Sequence, residues 1–360
     1  MMLSFLLAAM LFAADVPPGV VIDHEPASAK RYIGSPSIAI LKGGSYVASH
    51  DFFGPASNQN ASSTSRVFRS EDRGRTWTRT AEFQDQFWSN LFVHRGALYL
   101  MGTTYEYGKI VIRRSADGGR SWSAPSYITQ DTGYHTAPVP MATYKGRIWR
   151  AFEWHPQGKW GFFEAFALSA PLKADLMKAE DWTLTPRLKF PADPPAGKHW
   201  LEGNAVVSPK GELLDILRVD NVEKAAITRV APGGLSFVEM VDFPGGAKKF
   251  TIRYDRKTRL YWTLSNPAPG APSPASVRNT LALMSSPDLR VWTIRKVILH
   301  HDDAERHAFQ YVDWQFEGGD IVVASRTAYD DAEGGAPRGH DANYLTFHRI
   351  SGFRKLDAHR

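Results

Sequence analysis

Apolar and polar positions alternate along most of this chain in short bursts, and pairs of bursts are separated by a tight polar turn. The pattern reads as strand, turn, strand in "SPSIAILKGGSYVAS", "WSNLFVHRGALYLMG", "TAPVPMATYKGRIWRAF", "EGNAVVSPKGELLDILR", "FTIRYDRKTRLYWTLS" and "YVDWQFEGGDIVVAS". Alternation at period two predicts strands with one buried face, and the Gly-containing breaks supply turn residues. The turns recur about every 55 residues, which leaves room for four short strands per unit. One such sheet cannot bury both of its faces, whereas six arranged radially bury each against the next. The expected fold class is therefore all-β, a six-bladed β-propeller of four-stranded antiparallel blades. Either "VVID" near the start or "NYLTFHRI" near the end would close the ring.

A second repeat supports the first. "SEDRGRTW" (Ser70 to Trp77) and "SADGGRSW" (Ser115 to Trp122) share Ser-x-Asp-x-Gly-x-Ser/Thr-Trp. In such a turn Asp72 or Asp117 accepts backbone N–H groups, Gly74 or Gly119 takes positive φ, and the Trp packs between sheets. Weaker echoes end at Trp182 and Trp292.

Composition narrows the class. The 29 Gly and 23 Pro suit a turn-rich β protein, and the absence of Cys excludes disulfides, thiolate metal sites and a Cys nucleophile. Net charge is +6, but the 43 basic and 37 acidic residues are interspersed, so no nucleic-acid track stands out. A mild positive field favours an acidic ligand. The apolar start "MMLSFLLAAMLFAAD" is too short to span a bilayer and fits the core of a signal peptide over residues 1–14. A single propeller domain over 15–360, secreted or periplasmic and monomeric, is the expectation. No later segment reaches membrane-spanning length.

The two intact repeats are Asp-boxes, and the chain resembles the sialidase superfamily of six-bladed propellers over nearly all of residues 20–350. The resemblance implies a carbohydrate-active hydrolase with a Tyr nucleophile activated by Glu, an Asp acid/base, and arginines that clamp the substrate carboxylate. This is an exception to the two-carboxylate scheme of most glycosidases. A guanidinium suits the clamp because its planar fork matches a carboxylate.

Carried over segment by segment, the resemblance assigns Asp51 in "ASHDFFGPASNQN" as acid/base, and Glu202 in "LEGNAVVSPKGELLDILR" as the base. It gives Arg218, at the end of that segment, and Arg278 in "VRNTLALMSSPDLRVW" to the clamp, and Tyr311 in "FQYVDWQFEGGDIVVAS" as nucleophile. The first clamp arginine is missing: Gly34-Ser35-Pro36 stands where the family has Arg-Ile-Pro, and Arg31 is the nearby substitute.

Strand alternation raises a conflict. With Val207 opposite Glu212 across a Ser208–Gly211 turn, Glu202 faces Leu217 and points away from Arg218. A bulge at Gly203, or a Glu202 lying just outside the ladder, would remove the conflict.

Histidines supply further candidates at His50, His135, His199, His307 and His340. His135, with Tyr134 and Glu153, is the strongest, as a substrate-binding or proton-transferring group. Local spacing offers no metal-ligand pattern, and neither metal nor cofactor is expected. The expected partner is a glycan or oligosaccharide with an acidic terminal sugar. Two other readings stay open: a lyase on uronate polysaccharide using His135, and a glycan-binding propeller without catalysis.

Overall fold

The computed structural model describes residues 16–357, so the expected signal peptide over 1–14 lies outside the described residues. Six sheets of four consecutive positions each form the six-bladed propeller, and among the described residues helix is limited to short 3-10 segments of three to five residues. From inside outward, blade four runs Trp200–Val207, Leu213–Val219, Lys224–Ala231 and Gly234–Asp242. In blades one and three the innermost position is split, into Tyr32–Ile33 plus Ser37–Ile40 and Tyr134–His135 plus Ala142–Tyr144. The innermost strands of blades two, five and six are Phe87–His94, Thr251–Asp255 and Ala308–Glu317.

Both candidate closing segments take part in closing the ring. Val20–His24 pairs antiparallel with Tyr344–Ile350 as the outer strand of blade six, with Val20 facing Phe347. The last blade is thus completed by the first strand of the chain, which ties the two ends together.

The hydrophobic residues pack between neighbouring blades, as the radial arrangement requires. Trp200 lies in the cluster joining blades three and four, and Trp262 and Trp314 in that joining five and six. All three are fully buried. Trp314 donates its indole N–H to the Thr251 carbonyl at 3.0 Å, so it is an inter-blade spacer and not a sugar platform.

The repeated turns have a common construction. Asp72 Oδ1 accepts N–H bonds from Arg75 and Thr76 at 3.0 and 2.9 Å, while Ser70 Oγ accepts that of Gly74 at 2.8 Å. Asp117, Ser121 and Gly119 repeat these bonds. Asp288 holds the N–H groups of Arg290 and Val291 in the same manner, with Leu289 at φ 69° where the other turns have Gly. At Gly74 a side chain would also collide with Phe347, its first atom falling 2.4 Å from the ring.

Candidate active site

A cavity of about 200 Å³ opens among the innermost strands, and Asp51, His135, Glu202 and Tyr311 all line it. Tyr311 Oη donates to Glu202 Oε1 at 3.0 Å. Arg218 Nη1 donates to Glu202 Oε2 at 2.7 Å and lies 3.4 Å from the Tyr311 oxygen. Five expected residues from blades one, three, four and six therefore meet across up to 260 positions of sequence, the separation of Asp51 from Tyr311.

Glu202 meets Arg218 at a break in strand phase. Val207 faces Leu213 rather than Glu212, one residue from the expected register. The register then shifts between Leu201 and Asn204, so Glu202 and Gly203 share one opposing position. Glu202 adopts φ 56°, in the left-handed region that costs a side-chain-bearing residue on the order of 1–3 kcal/mol. Gly203 is required by close approach: a Cβ there would lie 2.2 Å from Asp215 Oδ1. Its N–H donates to Glu153 Oε1 at 2.9 Å, and the other oxygen of Glu153 meets His135 Nδ1 at 2.9 Å. One buried carboxylate thus fixes both His135 and the bulge that carries Glu202.

The same device recurs. Tyr311, at φ 53°, sits in a register shift between Gln310 and Asp313 in blade six. Trp88, at φ 45°, sits in one between Phe87 and Asn90 in blade two. Trp88 lines the cavity, and its backbone N–H donates to Asp51 Oδ2 at 2.6 Å.

Asp51 is almost fully buried, with Oδ1 accepting the Ser35 N–H at 2.7 Å. Burial pushes its carboxyl up to about 6, against the opposing pull of the Ser35 and Trp88 N–H groups, His50 and Arg326. Glu202 is also buried, but Arg218 and His135 outweigh the desolvation and hold it below the ordinary range. The two carboxyls therefore differ in charge near pH 5 to 6, Asp51 carrying a proton and Glu202 ionised.

Gly34 has a structural reason to lack a side chain. A Cβ there would fall 1.7 Å from Asp51 Oδ1, so no arginine fits while Asp51 holds this position. Arg31 does not replace it. Its Nε bonds Glu25 at 2.6 Å and its guanidinium covers the Phe52 ring at 4.5 Å, away from the residues that line the cavity. The expectation for Arg31 is thus corrected, because an acidic neighbour and an aromatic face hold the side chain elsewhere.

Arg278 is buried with its guanidinium 5.5 Å from the Tyr311 ring centre, bonding the Ala275 carbonyl and Gln310 Oε1 at 3.0 and 2.8 Å. Arg326 went unrecognised in the sequence. It pairs in register with Gln310, lines the cavity, and stands 4.8 Å from the same Tyr311 ring. Its Nε is buried without a hydrogen-bond partner, and burial holds its pKa down at about 10. Among the described residues neither Arg278 nor Arg326 lies within ion-pair distance of a carboxylate, whereas Arg218 is matched by Glu202. The signal was an Arg following the apolar run "IVVAS", a cation in a strand whose other residues, Asp320 apart, are buried.

The remaining histidines divide. His340 lines the cavity, with burial and then Arg326 depressing its pKa to about 3. His50 bridges Asp23 and the Asp51 carbonyl at 2.8 and 2.9 Å, a structural post behind the site. His199 pairs with Asp220 at 3.4 Å. His307 stacks on His301 at 3.6 Å between Asp303 and Asp330, outside the cavity lining.

No family model matches the sequence, and no curated protein matches it either. Solved structures do resemble the fold. Trypanosoma rangeli sialidase with the inhibitor DANA superposes with a TM-score of 0.63 at 15% identity, over 91% of this chain and 56% of the sialidase. An α-L-arabinanase of Penicillium chrysogenum complexed with arabinobiose gives 0.56 at 14% identity, over 92% of this chain and 97% of that one. The GH93 α-L-arabinofuranosidase of Fusarium graminearum gives 0.59 at 10% identity, over 92% and 97%. The chain spans little more than half of the sialidase and nearly all of the two arabinan-related chains. At these identities the likeness is one of fold, that of the sialidase-like six-bladed propellers.

Proposed function

We propose that this protein is a retaining glycoside hydrolase that removes a terminal acidic sugar, with Tyr311 as nucleophile. The observation that carries the reading is the 3.0 Å bond from Tyr311 Oη to Glu202 Oε1, with Arg218 fixing the other carboxylate oxygen. A neutral phenol suits an anomeric centre next to a carboxylate, where an anionic nucleophile would be repelled. As Tyr311 oxygen bonds to the anomeric carbon, its proton passes to Glu202 while Asp51 protonates the departing oxygen. Asp51 then takes a proton from water, the water oxygen displaces Tyr311, and Glu202 returns the proton to the phenol.

The acidic sugar is supported by charge. Arg278 and Arg326 are both buried beside Tyr311 with no carboxylate within ion-pair distance, and burial holds the pKa of each below the ordinary guanidinium value. A substrate carboxylate would compensate both. His135, held through Nδ1 by Glu153, remains able to meet a sugar hydroxyl.

The test is a panel of terminal neuraminides, uronides and α-L-arabinofuranosides, followed by NMR of the released anomer. Release of an acidic sugar with retained configuration, abolished by Tyr311→Phe, is the expected result. Turnover of the neutral arabinofuranosides alone would overturn the acidic assignment, and unchanged turnover in Tyr311→Phe the mechanism. An unsaturated product absorbing in the ultraviolet would instead mark a lyase.

A further inference from the structure

The loop from His155 to Phe163 joins the second and third strands of blade three, Arg147–Trp154 and Glu164–Pro171. It is internally braced: Gly158 N–H donates to the His155 carbonyl at 3.0 Å and Gln157 N–H to His155 Nδ1 at 3.1 Å. Phe163 anchors it, fully buried, stacked on His135 at 4.4 Å and accepting the Trp200 indole N–H on its carbonyl at 3.0 Å. The preceding residue does the opposite. Phe162 is 71% exposed and holds φ 53°, a conformation that a bulky side chain rarely adopts. The chain reverses there to keep one Phe in the core and its neighbour in solvent.

Trp160, on the same loop, is 49% exposed and lines the cavity that contains Tyr311 and Asp51. Rings of His135, Phe163 and His199 meet it at 81°, 90° and 89°, so none of these neighbours stacks parallel on it. Trp160 at the cavity and Phe162 two residues on both pack against the His199 ring, at 5.9 and 6.1 Å, and leave exposed an apolar patch of the kind that marks a binding site. Strain at an exposed position points the same way.

The cavity itself suggests the occupant. Its volume of about 200 Å³ lies below the roughly 300–1,000 Å³ usual for a ligand pocket, so a glycan longer than one residue must continue past the rim. We infer that Trp160 and Phe162 form a subsite for the second sugar of the glycan, receiving the C–H face of its ring. A sugar ring presents an apolar face and polar edges, which an aromatic plane can desolvate at low entropic cost. The inference rests on the reading that the cavity takes a terminal acidic sugar.

The test is calorimetric titration of the Tyr311→Phe protein, which leaves the ligand uncleaved. The methyl α-glycoside of N-acetylneuraminic acid is compared with 3′-sialyllactose, and methyl glucuronide with a glucuronic-acid-terminated disaccharide. The longer ligand of the pair that binds is expected to bind about tenfold tighter, as one good aromatic contact provides. Trp160→Ala should bring that ratio to about one, and Phe162→Ala, at a side chain too exposed to affect folding, should lower it. Equal affinities in the parent, or a ratio that survives both substitutions, would overturn the subsite alone. Binding of neither pair would overturn the acidic-sugar reading, and this inference with it.

Discussion

Tyr311 and Glu202 touch through their side chains at 3.0 Å and share one backbone state, φ 53° and 56°, each within a register shift of an innermost strand. The shift releases each side chain from strict strand alternation and turns it toward the propeller axis. Removing the phenol oxygen should therefore remove the nucleophile with little disturbance of the fold. Tyr311→Phe is expected to lower kcat by about 100-fold or more, with the unfolding midpoint nearly retained. Matched kinetics and urea melts check this.

Glu202→Ala should behave differently. Arg218 and Glu202 are both almost fully buried, and Arg218 would lose its closer carboxylate at 2.7 Å and keep only Asp220 at 3.5 Å. Breaking one side of such a pair costs about 3–5 kcal/mol, so this variant should be destabilised as well as inactive. A double variant that also replaces Arg218 with Met should recover much of the stability and none of the activity. Urea denaturation of the two single variants and the double decides it.

The two carboxyls set the pH range. Glu202, held below its ordinary value, must be ionised, and Asp51, raised to about 6, must carry a proton for leaving-group departure. Activity should thus fall on the acid side as Glu202 protonates and on the alkaline side through about 6. The linkage sign for stability follows. The folded-state value of Asp51 lies above the unfolded one, so its favourable contribution is lost as pH rises through about 6. In Asp51→Asn the alkaline limb of kcat/KM should disappear, and a glycosyl fluoride, which needs no acid, should recover turnover.

Gly34→Arg would appear to restore the absent arginine, yet loss of function is expected. The first side-chain atom would fall 1.7 Å from Asp51 Oδ1 and 2.8 Å from the Asp51 carbonyl oxygen. Even Gly34→Ala should displace the acid, lowering kcat at least about tenfold. Normal kcat in Gly34→Ala would show that Asp51 is not the proton donor in this position.

The blade repeat was legible because alternation and turn chemistry are local, and six copies reinforce one another. Asp51, Glu202, Arg218, Arg278 and Tyr311 were reached through motif order, which the strand pattern alone would not provide. A bulge at Gly203 was one of two ways out of a parity conflict, but that conflict rested on a hairpin register one residue off: with Val207 facing Leu213, unbroken pairing would put Glu202 opposite Arg218. Arg31 and Arg326 show the limit. Their fates depend on Glu25, just past the first strand, and on Phe52 and Gln310, whose three-dimensional proximity no local pattern records. The role of Trp88 is likewise hidden in the sequence, since its N–H bond to Asp51 depends on a left-handed backbone.

Arg326 and Arg31 make the last comparison. Arg326 is buried beside Tyr311 without a carboxylate partner, whereas Arg31 is paired with Glu25 outside the cavity lining. Replacing Arg326 with Met should remove a buried charge that only the more distant Asp341 and Asp51 offset, so the unliganded protein should be as stable or more stable. The same change should raise KM for an acidic substrate by about 10-fold or more, the worth of a charged hydrogen bond of roughly 1.5–3 kcal/mol. Arg31→Ala should leave KM within about twofold, as the partly exposed Arg31–Glu25 ion pair contributes roughly 0–1 kcal/mol. Thermal melts and KM measured side by side distinguish a binding arginine, which trades stability for affinity, from a structural one. A lower melting temperature of Arg326→Met with unchanged KM would assign Arg326 to the fold, and the anion site would then rest on Arg278 and Arg218 alone.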